Sequence, residues 1–172
     1  MKIVRDSRGS EIAEAALVLP LAFMILLGIY WFGRAFNTYA TINHAAREGA
    51  RVAVGHTCAT CASPNTAPTP ATVAAAVTAT MQASSVDTSK IIAYPSTPTP
   101  VNCTGAPAAA TCNVNSNVTV CNNVPLNSSS PYAPVCGVTV TFQYPYQFTL
   151  PFTSLNNQQI ILTADVQMQG EY

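Results

Sequence analysis

The sequence predicts an α+β protein: a long N-terminal transmembrane helix extending out of the membrane, a second short helix, and a small antiparallel β-sheet of roughly three to four strands with disulfides. Three observations carry that expectation. Ala15 to Phe32 contains no charged side chain, so as a helix it spans about 27 Å, close to the roughly 30 Å of a bilayer core. Within "VTVTFQYPYQFTL", Val138, Val140, Phe142, Tyr144, Tyr146, Phe148 and Leu150 alternate with Thr, Gln or Pro, the period of a strand with one buried face. Cys58, Cys61, Cys103, Cys112, Cys121 and Cys136 all follow the apolar run. An even number on that side reads as disulfides in an oxidising compartment.

At 172 residues, 49% hydrophobic, 8% charged and with zero net charge, the chain has room for one small domain and one hydrophobic segment. Its few Lys and Arg are too dispersed to hold a nucleic acid, and that partner class is excluded. Lys2, Arg5 and Arg8 precede the span against the single acid Asp6. The positive-inside bias therefore keeps the N-terminus cytoplasmic and sends the chain after Phe32 outward. A cleaved signal peptide has a shorter apolar core closed by small residues, whereas this one ends in Tyr30, Trp31 and Phe32.

Taken in order, the proline-free, alanine-rich stretch "GRAFNTYATINHAAREGARVAVG" continues the first helix past the bilayer until Gly55 stops it. Pro20 removes one backbone hydrogen bond inside the span and predicts a kink. His56 to Pro70 turns to Cys, Pro, Thr and Ser, a surface loop. Thr69 and Pro70 then read as N-cap and first residue of the second helix. Val73, Val77 and Met81 form its apolar stripe, and it ends near Ser84 or Ser85. Ile91 to Tyr94, closed by Pro95, and Asn117 to Cys121 are short candidate strands. Pro145 sits on the polar side of the long strand and predicts an edge or a bend there. Ile160, Leu162, Ala164, Val166 and Met168 alternate in a final strand placed to pair with it.

Loop composition suggests the pairings Cys58–Cys61, Cys103–Cys112 and Cys121–Cys136, one choice among the many that six cysteines allow. Cys103 and Cys112 bracket "TGAPAAAT", and Cys121 and Cys136 bracket "NNVPLNSSSPYAPV".

Little in the sequence points to catalysis. Cys58-Ala-Thr-Cys61 has the spacing of a redox pair, but it opens onto a Pro/Ser/Thr loop rather than a strand-to-helix turn. His56 upstream makes "HTCATC" half a zinc site, and the remaining histidine, His44, lies on the preceding helix. Nothing places two of the exported acids Asp87, Asp165 and Glu171 together. We therefore expect no catalytic residue, no metal and no cofactor.

The unusual feature is "RGSEIAEAALVLPLAF", Arg8 to Phe23, which sets Gly9, Glu11 and Glu14 at the entrance of the apolar run. A carboxylate at that depth costs of order 1 to 3 kcal/mol, which asks for a partner. The arrangement resembles a class III prepilin signal. "ALVLPL", "FGRAF" and "AAREGAR" extend the likeness over residues 8 to 54 to the TadE-like family, minor pseudopilins of the tight-adherence (Flp) type IV pilus system.

That resemblance implies a prepilin-type leader at 1–9, a transmembrane and extended helix at 10–55 and a periplasmic α+β domain at 56–172. It implies cutting between Gly9 and Ser10 by a prepilin peptidase, with Glu14 of one subunit meeting the freed amine of the next. It implies inner-membrane placement, an optional place in the pilus, and other pilins, pseudopilins and inner-membrane assembly proteins as partners alongside the lipid bilayer. Arg47, Glu48 and Arg51 become a docking surface, Arg47 and Arg51 sharing a face at i, i+4. Ser10 departs from the apolar residue commonly methylated in major pilins. The rival readings are an uncleaved, signal-anchored binding domain and a membrane-tethered thiol oxidoreductase.

Overall fold

A computed structural model describes residues 8–55, 68–95, 100–103, 109–126, 135–147 and 159–170. In chain order these form α1 (Arg8–Val54), α2 (Pro70–Ala83), a 3-10 turn (Thr88–Lys90), β1 (Thr111–Asn115), β2 (Val118–Pro125), β3 (Cys136–Gln147) and β4 (Gln159–Gln169). The chain divides into two compact units, Met1–Asn37 and Thr38–Tyr172.

In the first unit α1 carries an apolar window of mean hydropathy 2.4, none of it buried, and it is long and apolar enough to cross a membrane. Pro20 lies inside the helix without ending it. Leu17, Leu21, Met24 and Phe32 are all largely exposed. Such a surface is stable in lipid and not in water.

The second unit opens with the last turns of α1, where Ile42, Ala45, Ala46, Ala50 and Ala53 are buried. Small residues here let other elements come close. A Cβ added at Gly49 would stand 2.5 Å from a Val77 methyl, 3.5 Å from Val73 and 3.6 Å from Val140. Gly55 closes the helix, its N–H donating to the Arg51 carbonyl at 3.1 Å.

α2 starts as expected: the Thr69 hydroxyl accepts from the Thr72 N–H, and Pro70 takes the first turn. Val73, Val77 and Met81 are fully buried, each contributing roughly 1.5–3 kcal/mol. Ser85 adopts φ 57°. With it the Val86 N–H reaches back to the Met81 carbonyl at 3.0 Å, satisfying the helix end.

The sheet is an antiparallel meander in the order β1-β2-β3-β4. Val138, Val140, Phe142, Tyr144 and Tyr146 of β3 are buried, as the alternation requires. β4 pairs with β3 along its whole length, from Gly137 opposite Gln169 to Gln147 opposite Gln159. Its inner row is less covered: Ala164 is fully buried, but Ile160 is 48% exposed.

Several expectations change. Ile91 to Tyr94 is no strand; it makes one bridge, Ile92 with Gln143, because Pro95 ends the extended run and Ile91 is drawn into the core. β1 has no counterpart among the strands expected from the sequence. Its Asn-rich "TCNVN" has poor strand propensity, but Ser116 and Asn117 take positive φ of 47° and 63°, the pattern of a tight hairpin turn. Asn117 Nδ2 pins that turn to the Ile91 carbonyl at 2.7 Å.

The expected disulfide pairings are also corrected. Cys112 joins Cys121 and Cys103 joins Cys136, because bonding follows register rather than loop composition. Cys112 stands directly opposite Cys121 in the hairpin, with Cα atoms 4.0 Å apart. The Cys103 N–H donates to the Asn123 carbonyl at 3.2 Å, which lays Cys103 beside the end of β2. There Pro125 pairs with Cys136. Cys58 and Cys61 lie outside the described residues.

Pro145 lies in β3, an internal strand, yet breaks no ladder. The Gln143 N–H points to Ile92, so by alternation position 145 turns its nitrogen to that same side. β2 has already ended there, its pairing reaching only Thr141. Locally that side is an edge.

Two outcomes are expected. Gly49→Ala overpacks the core by about 1–3 kcal/mol against up to about 1 kcal/mol of helix propensity gained, a net loss that Val77→Ala in the double variant recovers in denaturant titration. Peptic mapping of the unreduced protein gives Cys112–Cys121 and Cys103–Cys136. Removing the bridge of separation 33 costs about 4 kcal/mol and that of separation 9 about 2.5 kcal/mol.

Candidate functional site

The residues singled out in the sequence fall at two places along α1. Among the described residues the helix runs from Arg8, and it includes the Gly9–Ser10 peptide bond. Glu14 follows Ser10 by four residues, about 6 Å along the axis and on the same face. Glu14 is exposed, as are its neighbours Ala13 and Ala15. A carboxylate here lies near the positive end of the helix dipole.

The second place is the outward side of α1 within the domain. Arg47 and Arg51 are exposed and Glu48 is half-buried, on the side away from Ala45, Ala46, Gly49, Ala50 and Ala53. His44 is also exposed and precedes Arg47 by three residues. It therefore joins the two arginines on one face. The sequence reading weighed His44 only as a distant metal ligand; its three-residue spacing from Arg47 was the available signal.

The acids of the domain occupy unrelated positions. Asp87 caps the 3-10 turn, its Oδ1 accepting from the Ser89 N–H at 3.0 Å and the Ser89 hydroxyl at 2.7 Å. The Ser89 hydroxyl, and then its N–H, hold the Asp87 carboxyl below the usual range. Tyr144 is pushed up by burial and further by the Asp87 charge. Asp165 stands on β4 opposite Thr141, and partial desolvation pushes its carboxyl up.

Among the described residues no group of three His, Cys, Asp or Glu is placed to hold a metal, and no cysteine is free. Glu171 and the "HTCATC" segment lie outside them. A shallow depression of about 230 Å³ on the outer face of the sheet is lined by Val101, Cys121, Val124 and Thr139 among others. It contains no titratable side chain to work on a substrate.

Residues 9–51 match the family model described as TadE-like protein. That match covers α1 from the turn holding Gly9 to the exposed Arg51, thus both places described above. The family is a pilus component and not a family of enzymes. No curated protein and no solved structure matches the chain.

The two shifted carboxyls predict opposite pH behaviour. Asp165 has its folded value raised, so its contribution to stability is present in acid and is lost as pH rises through the carboxylate range. Asp165→Asn is expected to be more stable than the parent at pH 7, with the difference vanishing in acid. Asp87 has its folded value lowered, so Asp87→Ala loses stability at neutral pH and the gap closes as pH falls. Thermal melts across pH check both signs.

Proposed function

We propose, on the premise that residues 9–51 are TadE-like, that this chain is a minor pseudopilin of a tight-adherence pilus, a non-enzymatic subunit supporting pilus assembly, adhesion or secretion. The observation that carries the reading is the placement of Gly9, Ser10 and Glu14 within two turns at the head of an apolar helix. A prepilin peptidase cuts between Gly9 and Ser10 and removes the leader 1–9. The Ser10 amine thus freed is a cation at the membrane edge, and the Glu14 carboxylate of a neighbouring subunit is its partner. Pairing the two offsets the desolvation that each would otherwise suffer.

Lys2, Arg5 and Arg8 hold the leader on the cytoplasmic side of the inner membrane. Residues 10–55 form the membrane and extended helix, and 56–172 the periplasmic domain, where the disulfides find an oxidising compartment. Arg47, Glu48 and Arg51, with His44, form the face offered to other pilins, pseudopilins and assembly proteins. The outward side of α1 suits that role because its inward side is committed to the core.

The test is the N-terminus of protein extracted from membranes, read by intact mass with and without a co-expressed prepilin peptidase. A start at Ser10 that depends on the peptidase and is lost in Gly9→Val is expected. A start at Met1 under both conditions overturns the reading and leaves an uncleaved anchored domain.

A further inference from the structure

We infer that this chain is a substrate of a thiol–disulfide isomerase, an exported protein with a reactive thiolate, because the folded domain cannot keep the disulfides that its cysteines form first. The inference rests on the topology proposed above, in which the chain after Phe32 is exported from its N-terminal end onward. The native bonds are nested, Cys112–Cys121 lying inside Cys103–Cys136. Neither Cys103 with Cys112 nor Cys121 with Cys136, the consecutive pairs, is joined.

Order of emergence favours those consecutive pairs. Cys103 stands nine residues before Cys112, and Cys121 nine residues after it, so loop closure costs Cys112 the same with either partner. Timing then decides. Cys103 and Cys112 are both outside while Cys121 is still to come, and nine residues of chain growth at about 5–20 residues per second take about 0.5–2 s. A loop of this length closes in about 10–100 ns, so the first pair meets many times before its rival exists. The competing hairpin has no head start, since "TCNVN" has weak strand preference and its turn needs Ser116 and Asn117 at positive φ. Once Cys103 is bonded to Cys112, Cys121 is left with Cys136.

The folded sheet excludes that product. Cys121 stands opposite Thr139, and Thr139 is separated from Cys136 by about 10 Å along β3. Cysteines whose Cα atoms are more than about 7 Å apart cannot be joined without moving the backbone. A chain with Cys121 bonded to Cys136 therefore lacks the β2–β3 register. Nor can these four sulfurs correct themselves, because exchange begins with a thiolate and all four are oxidised. The isomerase supplies it. Its thiolate attacks Cys103, forming a mixed disulfide and releasing the Cys112 thiolate. Cys112 attacks Cys121, making the Cys112–Cys121 bond and releasing Cys136. Cys136 attacks Cys103, making the Cys103–Cys136 bond and releasing the isomerase thiolate. Two disulfides are present before and after, so no oxidant or reductant is consumed. Register selects this product: Cys112 is directly opposite Cys121, and the hydrogen bond from the Cys103 N–H to Asn123 sets Cys103 beside the end of β2 that pairs with Cys136.

The test makes the full chain in bacterial cells with and without their periplasmic disulfide isomerase, blocks thiols with a maleimide and maps the bonds by peptic digestion without reduction. With the isomerase, Cys112–Cys121 and Cys103–Cys136 are expected; without it, Cys103–Cys112 and Cys121–Cys136 rise several-fold. The variant Cys103→Ala/Cys136→Ala, which leaves Cys112 and Cys121 alone among the four, is expected to form its bond equally in both cell types. Native bonds in equal yield without the isomerase overturn the inference, as does isomerase dependence of the double variant. A maleimide that does not cross membranes, added to spheroplasts after reduction, reads export separately. Unlabelled protein overturns the topology and the inference together, whereas labelled protein with isomerase-independent pairing overturns the inference alone.

Discussion

The domain depends on one close approach, that of α1 at Gly49 to Val77 of α2 and Val140 of β3. The helix contributes Ala45, Ala46, Gly49, Ala50 and Ala53 on its inward side, all small. The opposing surfaces contribute Val73, Val77, Met81, Val140 and Phe142. Filling the space to native density therefore requires the helix backbone itself to come near. That requirement also fixes the rotation of α1 about its axis. With the small residues inward, His44, Arg47 and Arg51 must face out. The same helix is apolar on all sides from Ala15 to Phe32. One continuous element thus presents two kinds of surface, and residues 9–51, the stretch matched by the TadE-like model, include both.

The sheet is held by a different set of constraints. The first strand of its first hairpin, β1, is Asn-rich and has weak strand preference, and a tight turn and a cross-strand disulfide supply what propensity does not. At the other end of β2 an extra residue, Asn123 with φ 56°, interrupts the pairing with β3 between Cys121 and Val124. Gly137 sits opposite Val124 at this bulge, and a Cβ there would collide with the Met168 carbonyl and the Leu126 side chain. The second disulfide starts at the neighbouring Cys136. The irregular end of the sheet is thus the one that is covalently tied.

Legibility in the sequence followed the range of the interactions. The α2 cap, its stripe and the β3 alternation were readable because each is set by residues within a few positions of one another. That Gly9 and Glu14 share a single helix was readable for the same reason. The disulfide pairing was not, since it depends on a hairpin whose turn holds Asn117, a residue the sequence places at the start of a strand. Ile91 to Tyr94 carried β-branched residues and looked like a strand. Only the folded arrangement shows that Ile91 is needed in the core while Ile92 supplies one bridge.

Charge is scarce enough that most of the surface works by other means. Only 8% of residues are Asp, Glu, Lys or Arg, and on the outer face of the sheet Thr139, Gln143, Thr163 and Gln167 are neutral polar groups. Such groups bind through directional hydrogen bonds, which ionic strength hardly affects, whereas exposed charges are screened beyond about 10 Å at 0.1 M salt. That face of the sheet thus offers shape and hydrogen bonds rather than electrostatic steering. The exposed face of His44, Arg47 and Arg51 is the exception, because it gathers three basic side chains within two helical turns. The docking role proposed for this face therefore implies a salt-sensitive contact, one that weakens as ionic strength rises.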